Sequence, residues 1–146
     1  MVKQVERLVE TGNSRPAVLE QVCRLLHEAV DYYDWVGFYL VHPERERELV
    51  LGPYVGDPTE HTRIPFGRGI CGQAAERGET FVVQDVSREQ NYLACSLAVK
   101  SEIVVPIFKD GRIVGELDID SHRLSPFTEA DREYLERICE LQGRLF

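Results

Sequence analysis

The sequence predicts an α+β domain in which helices from both ends of the chain pack on one face of an antiparallel sheet. Apolar residues recur at helical spacing near both termini, and segments rich in aromatic and β-branched residues lie between them. The dipeptide Asp110–Gly111 separates two such segments and is a strong signal for a β-hairpin, whose strands are antiparallel. A length of 146 residues suits one domain that spans 1–146.

The first half of the chain predicts two helices followed by two strands. A short helix over 2–10 precedes a longer one over 16–32, for which Ser14 is a capping residue. Strands are predicted over 35–41, where aromatic and β-branched residues dominate, and over 48–55, which a Gly-Asp-Pro turn closes. The apolar stripe of the longer helix needs a partner surface, and the sheet provides one.

The second half predicts a short helix, three more strands and a final helix. These elements are a helix within 66–78 that ends at Gly78, strands over 80–86, 102–108 and 112–121, and a helix that begins after Thr128. Thr128 and Asp131 have the spacing of a capping box. The glycine-rich segment and the irregular segment 87–100 are left to cover the second face of the sheet, over a pocket.

The composition disfavours several classes of partner. The formal net charge is −8, which argues against nucleic acid and anionic membranes because both demand a basic surface. No apolar run approaches the ~20 residues of a membrane helix, and the amino terminus is charged throughout, unlike a signal peptide. We therefore expect a cytoplasmic protein whose four cysteines are free thiols.

One strand carries a row of acids. Over 112–121, apolar residues alternate with three carboxylates, those of Glu116, Asp118 and Asp120. Glu102 lies on the neighbouring strand. A solvated outer face is one interpretation of this alternation. The other is a site for an amine, because carboxylates this close raise each other's pKa and a bound ammonium group relieves the repulsion.

The hairpin geometry limits how these acids combine. A two-residue turn at Asp110–Gly111 sets Glu102 opposite Ile119, so that Glu102 points away from the two aspartates. A shift of the register by one residue removes this conflict. Either a bulge near Pro106, which cannot donate to the ladder, or a three-residue turn provides such a shift, and we predict one of them.

Trp35, Gly37 and Tyr39 share one face of the first strand. Core packing is the usual role of aromatic residues on a strand, and periodicity alone favours it. The alternative is the wall of a ligand cage, in which Gly37 leaves room for the ligand.

The four cysteines divide into two pairs. Cys23 and Cys139 fall on apolar helical stripes, which predicts inert core thiols. Cys71 lies close to the start of a short helix with Arg68 nearby, and both features favour a thiolate. Cys95 lies in the irregular segment. Cys71 and Cys95 either exchange between dithiol and disulfide or are simply two small buried residues.

His61 is a further candidate for chemistry. Together with Cys71 and Cys95 it lacks the closely spaced ligand pair of a zinc site, so we predict no metal. His61 is then either a surface residue or a proton donor near the pocket.

A run of six motifs resembles a known family. The motifs are, in order, DWVGFYLV, ELVLGPYVG, TRIPFGRGICGQAA, YLAC, SEIVVPIFKDG and GELDIDS. They resemble the free methionine-R-sulfoxide reductases, which are single GAF-domain enzymes that reduce the free amino acid, and the match runs from about Tyr33 to Leu135. The resemblance implies a GAF-like fold, with a six-stranded antiparallel sheet, helices behind it and a pocket in front.

The resemblance also implies roles for individual residues. Cys95 corresponds to the family's catalytic cysteine, and Cys71 to the cysteine of its glycine-rich motif. Contacts to free methionine sulfoxide, or to a similar amino acid, are implied for Glu102, Asp118, Asp120, Trp35 and Tyr39. In this family one thiol reduces the sulfoxide and becomes a sulfenic acid, which a second thiol converts to a disulfide. No cofactor is implied, only an external thiol reductant such as thioredoxin.

Two positions depart from the family pattern. His61 stands where the family usually has its main resolving cysteine, and Ser96 stands where it tends to have an aspartate. Cys71 then resolves the sulfenic acid, or a small thiol or thioredoxin attacks it directly. The alternatives to a reductase are a non-catalytic GAF sensor that binds a small amine or amino acid, and a redox switch that uses Cys71 and Cys95 without substrate. A homodimer through the helices, common in GAF proteins, is a further expectation.

Overall fold

The computed structural model describes residues 1–93 and 96–146. The strands in this part of the chain are β1 (Trp35–Val41), β2 (Glu48–Val55), β3 (Arg63–Pro65), β4 (Phe81–Val83), β5 (Ser101–Lys109) and β6 (Arg112–Ser121). They form one sheet in the order β3-β2-β1-β6-β5-β4, and every neighbouring pair is antiparallel. The α-helices are α1 (Val2–Glu10), α2 (Arg15–Ala29), α3 (Gly69–Arg77) and α4 (Glu129–Gln142).

The predicted helix ends are confirmed where a local signal specifies them. The Ser14 hydroxyl accepts a hydrogen bond from the Ala17 N–H at the start of α2. At the start of α4, Thr128 and Asp131 each accept from the other's backbone N–H, which is the predicted capping box. Gly78 ends α3 in the left-handed conformation, with φ 63°. None of the helices in residues 1–93 and 96–146 has the length and apolar character needed to span a bilayer.

Two element boundaries and one additional strand differ from the prediction. The helix predicted over 16–32 ends at Ala29, after which the backbone is extended. The strand predicted over 80–86 ends at Val83, and the backbone carbonyl of the next residue, Gln84, accepts a hydrogen bond from the Ser125 N–H at 2.9 Å. Strand β3 has no counterpart in the predicted elements. Only its central residue, Ile64, is buried, so three residues give no pattern to detect.

The two faces of the sheet have different neighbours. Helices α1, α2 and α4 cover one face, where they contact apolar residues of the central strands such as Phe38, Val105 and Leu117. Helix α3 and the irregular segments cover the other face, where Ile70 packs with Tyr39. This layer arrangement is the predicted one, and it places the glycine-rich segment over the acid-bearing face.

A bulge in the hairpin sets the register of the last two strands. Lys109 pairs with Arg112, so the turn has two residues, but the register shifts by one between Ile107 and Phe108. Val114 is the extra residue on β6, since Phe108 pairs with Ile113 and Ile107 with Gly115. The predicted irregularity is confirmed, one residue beyond Pro106. As a result, Glu102 lies opposite Asp120 and shares its face.

Candidate functional site

Four carboxyl groups lie on the buried face beneath α3. Glu116, Asp118 and Asp120 on β6 are 0%, 2% and 2% exposed, and Glu102 on β5 is 6% exposed. They face the same side because β6 residues alternate and the bulge brings Glu102 into register with Asp120. The interpretation of the acid row as a solvated outer face is therefore wrong.

Two cavities border these acids. The smaller one has a volume of about 10 Å³, and its lining includes Tyr39, His61, Cys71, Leu93, Glu102 and Asp118. The larger one has a volume of about 270 Å³, and its lining includes His27, Asp34, Trp35, Ser96, Asp120 and His122. Since Asp118 and Asp120 lie on the same face of β6, the two cavities are neighbours along one strand.

The aromatic residues of β1 form one wall of these cavities. The rings of Trp35 and Tyr39 stack with centroids 6.5 Å apart, and Trp35 also stacks on Tyr54 at 5.4 Å. The Trp35 Nε1–H donates to the Asp57 carbonyl at 2.9 Å, which fixes the indole. A Cβ on Gly37 would lie 2.4 Å from the Trp35 ring. The space above Gly37 is therefore filled by Trp35 itself, and the expectation that this glycine leaves room for a ligand is wrong.

The environment of Cys71 is acidic. The residue lies in the first turn of α3 and is buried, with its Sγ 3.8 Å from Glu102 Oε2. Burial raises the pKa of the Cys71 thiol, and the nearby carboxyls, with Asp118 the strongest, raise it further. The prediction of a thiolate is wrong, because burial and the carboxyls of β5 and β6 outweigh the helix terminus and Arg68.

Little in their surroundings stabilises the ionised form of these carboxyl groups. Burial raises the pKa of Glu116 and of Asp120 well above their usual values, and the charge of Asp118 adds to both shifts. Burial also raises the pKa of Asp118. Among the described residues, both oxygens of Glu116 and the Oδ1 of Asp118 have no hydrogen-bond partner. Buried polar groups are rarely left without partners, which makes this cluster a candidate binding site.

Among the four acids, Glu116 is the one for which the family resemblance implied no role. It lies opposite Tyr39 and Pro106 and contributes to the raised pKa of Cys71. The alternation over 112–121 already placed it on the face of the two aspartates, and this pattern was the signal that could have identified it.

The segment before Cys95 is tied to α3. Asn91 Oδ1 accepts from the Gly69 N–H at 2.8 Å, and Asn91 Nδ2 donates to the Gly67 carbonyl at 2.7 Å. Cys95, with Ala94, lies outside the described residues, so its predicted role stays a prediction. On either side of these residues, Leu93 lines the smaller cavity and Ser96 lines the larger one.

His61 lies at the smaller cavity, as one of its two sequence interpretations predicts. Its carbonyl accepts from the Tyr39 hydroxyl at 2.8 Å, and its N–H donates to Thr59 Oγ1. By contrast, Cys23 and Cys139 are buried in the core on the helical face, where burial raises the pKa of both thiols. Their prediction as core thiols is confirmed.

The fold and the buried face define a class of protein. A family model for the GAF domain matches residues 12–145. The chain belongs to this family, and within it to the group that includes the free methionine-R-sulfoxide reductases.

Individual relatives support this assignment. The chain is 38% identical over 122 residues to free methionine-R-sulfoxide reductase of Escherichia coli, covering 84% of this chain and 72% of that protein. It is 44% identical over 141 residues to GAF domain-containing protein A of Dictyostelium discoideum, covering 97% and 87%. The crystal structure of free methionine-R-sulfoxide reductase from Neisseria meningitidis in complex with its substrate superposes with a TM-score of 0.92, at 44% identity, covering 99% of this chain and 85% of that one. The family recognised from the six motifs is thereby confirmed.

Proposed function

We propose that this chain is an enzyme that reduces free methionine-R-sulfoxide to methionine with its cysteine thiols. The observation that carries the proposal is the buried acid cluster of Glu102, Asp118 and Asp120 beside the wall formed by Trp35 and Tyr39. In the described part of the chain, no lysine or arginine lines either cavity. A free amino acid brings the ammonium group that such a cluster lacks.

Charge complementarity explains why the free amino acid is the substrate. An ammonium group among these carboxyls offsets their repulsion and gives the unpartnered Asp118 Oδ1 a donor. The same methionine sulfoxide within a peptide has an amide in place of the ammonium and cannot supply this charge. The aromatic wall then contacts the apolar end of the side chain, next to the sulfoxide.

The chemistry is a transfer of oxygen from one sulfur to another. The Cys95 sulfur attacks the sulfoxide sulfur, and the oxygen passes to Cys95, which becomes a sulfenic acid as methionine is released. A buried acid or His61 protonates the sulfoxide oxygen during this step. Cys71 then condenses with the sulfenic acid, which forms a disulfide and releases water. A thiol reductant such as thioredoxin restores both thiols, and no cofactor takes part.

Cys71 is the resolving thiol in this scheme because His61 occupies the position of the usual resolving cysteine. The raised pKa of the Cys71 thiol keeps it protonated in the resting enzyme. Its proton passes to a neighbouring carboxylate, of which Glu102 is 3.8 Å away, when it attacks the sulfenic acid.

The test is a direct assay of the reduced protein. Free methionine-R-sulfoxide and dithiothreitol should yield methionine at a rate far above that of a Cys95→Ser variant, whereas the S epimer and peptide-bound sulfoxide should not react. The matched control is Cys139→Ala, which removes a buried thiol from the other face. Ligand binding that survives Cys95→Ser without any turnover in the unmodified protein would instead support the non-catalytic sensor.

Two further expectations belong to this proposal. Free thiols at Cys23, Cys71 and Cys139 suit the reducing cytoplasm, where we propose that the enzyme works. A homodimer through the helical layer should give twice the chain mass in light scattering, and a single chain mass would contradict it.

A further inference from the structure

Three different donor groups converge at the smaller cavity. Cys71, Glu102 and Asp118 each offer one ligand atom, and these atoms all lie within 4.8 Å of one another. The distance from Cys71 Sγ to Glu102 Oε2 is 3.8 Å. Two such ligands of one tetrahedral zinc ion, at ~2.3 Å for sulfur and ~2.1 Å for oxygen, lie about 3.6 Å apart. Cys71 and Glu102 are thus close to the separation that a single ion needs, and the ligand atom of Asp118 lies within 4.8 Å of both.

An independent observation points to a ligand between them. The Asp118 Oδ1 has no hydrogen-bond partner among the residues described, although the side chain is 98% buried and lines this cavity. The cavity volume of about 10 Å³ is near the minimum that holds one water-sized particle. In this conformation the cavity fits a single ion.

The donor set selects among cations. One sulfur and two carboxylate oxygens suit zinc and similar borderline metals, whereas magnesium and calcium bind oxygen ligands alone. Glu116 and Asp120 add negative charge around Cys71. Three protein ligands leave a fourth position of the ion open to water.

We propose that Cys71, Glu102 and Asp118 form a zinc site, and that zinc and the amino acid substrate exclude each other there. The first half stands on the geometry alone, and the second rests on the proposed function. Binding replaces the Cys71 thiol proton by a sulfur–zinc bond and releases that proton. It also occupies the carboxylates that would hold the substrate ammonium, so the metal inhibits by competition and blocks the resolving thiol. These ligands come from three separate elements, α3, β5 and β6. They therefore form no short spacing in the sequence, and no metal was predicted.

The experiment is a titration of the full reduced chain with Zn²⁺ by calorimetry. We expect one ion per chain, no comparable binding of Mg²⁺ or Ca²⁺, and at least ~10-fold weaker binding in both Cys71→Ala and Asp118→Asn. Co²⁺ should give a thiolate charge-transfer absorption that Cys71→Ala abolishes. Cys139→Ala should bind zinc normally. Circular dichroism shows that each variant is folded, and the isosteric Asp118→Asn keeps the test open if Cys71→Ala does not fold.

Each outcome decides the site separately from the reductase. Unchanged zinc affinity in Asp118→Asn or in folded Cys71→Ala, loss of binding in Cys95→Ser alone, or equal binding of Mg²⁺ would overturn the site. Zinc binding in a protein with no turnover keeps the site and contradicts the proposed function. Turnover that zinc leaves unaffected, at concentrations that saturate the calorimetric site, would overturn the competition.

Discussion

Two buried acids on opposite faces of the sheet have opposite environments. Asp131, on the helical face, accepts hydrogen bonds from the Tyr32 and Tyr33 hydroxyls and from the Thr128 backbone and side chain. Burial opposes its ionisation, but these donors outweigh burial and lower the pKa of Asp131. Glu116, on the other face, has no partner among the described residues, and burial raises its pKa.

The difference separates an acid that stabilises the fold from acids that we propose bind a ligand. Asp131 joins α4 to the segment before β1 and starts the helix, so its charge is satisfied within the chain. Glu116 and its neighbours cost free energy in the absence of a ligand. Their presence is explained when binding or chemistry recovers that cost.

The largest expected effect is on binding at Asp118. Asp118→Asn removes a carboxylate from the proposed ammonium site and should lower kcat/KM by at least ~30-fold, or about 2 kcal/mol. Without ligand, the same variant should unfold at a temperature no lower than the parent, because a desolvated charge is gone. The Asp110→Asn variant, at the exposed hairpin turn outside both cavities, is the control. Unaltered kinetics in Asp118→Asn would contradict the proposed role of the acid cluster.

The opposite result, a loss of stability without a loss of activity, is expected at Asp131. Asp131→Asn weakens the bonds from Tyr32 and Tyr33 and should lower the free energy of unfolding by ~1–3 kcal/mol, measured in urea. The turnover per folded molecule should not change. Glu129→Gln, at an exposed acid in the same helical turn, should shift the unfolding free energy much less. Equal effects of the two variants would show that the hydrogen bonds of Asp131 contribute little.

The dependence of stability on pH should also distinguish Asp131 from Glu116. Since the pKa of Asp131 is lower in the folded chain than in the unfolded one, its contribution is complete above the unfolded value near 3.8 and is lost as the pH falls below it. As the pH falls from about 5 to about 2, the free energy of unfolding of the parent should therefore decrease more steeply than that of Asp131→Asn. Parallel curves would rule out a native-state shift at this residue.

The smallest expected effect is at Glu116, and it has the opposite sign. The folded chain binds the Glu116 proton more tightly than the unfolded chain, so the parent loses stability as the pH rises above the unfolded value near 4.5. Glu116→Gln should match the parent near pH 4 and exceed it at pH 8 by about 1 kcal/mol or more, in the presence of a chelator. A variant less stable than the parent at pH 8 would indicate a partner that stabilises the ionised form.

Local signals in the sequence predicted much of this fold. The caps at Ser14 and Thr128 and the stop at Gly78 each depend on residues within one helical turn, so the sequence specifies them directly. The bulge was predicted for a different reason, because four acids on two strands make chemical sense only on one face. Strand β3 was not predicted, since a strand of three residues that forms by pairing with β2 shows no alternating pattern of its own.

The site was predictable by residue type but less so by environment. The resemblance carried by the six motifs implied roles for Trp35, Tyr39 and three of the four acids, and the structure brings these side chains to one face. The shift in the pKa of Cys71 was predicted in the wrong direction. Arg68 and the helix start are its neighbours in sequence, whereas burial and the nearby carboxyls are brought about by folding. The alternation over 112–121 placed Glu116 in the acid row, whereas the family resemblance implied roles only for its neighbours.

The bulge at Val114 has a consequence for changes in chain length. A residue inserted between Asp110 and Gly111 lengthens an exposed turn and leaves the pairing of Ile107 with Gly115 intact. Deleting Val114 removes the bulge and also leaves Ile107 paired with Gly115, so Glu102 stays opposite Asp120. The chain length can therefore change by one residue at the turn or at the bulge without separating Glu102 from Asp120, and tags or grafted peptides belong at the exposed turn.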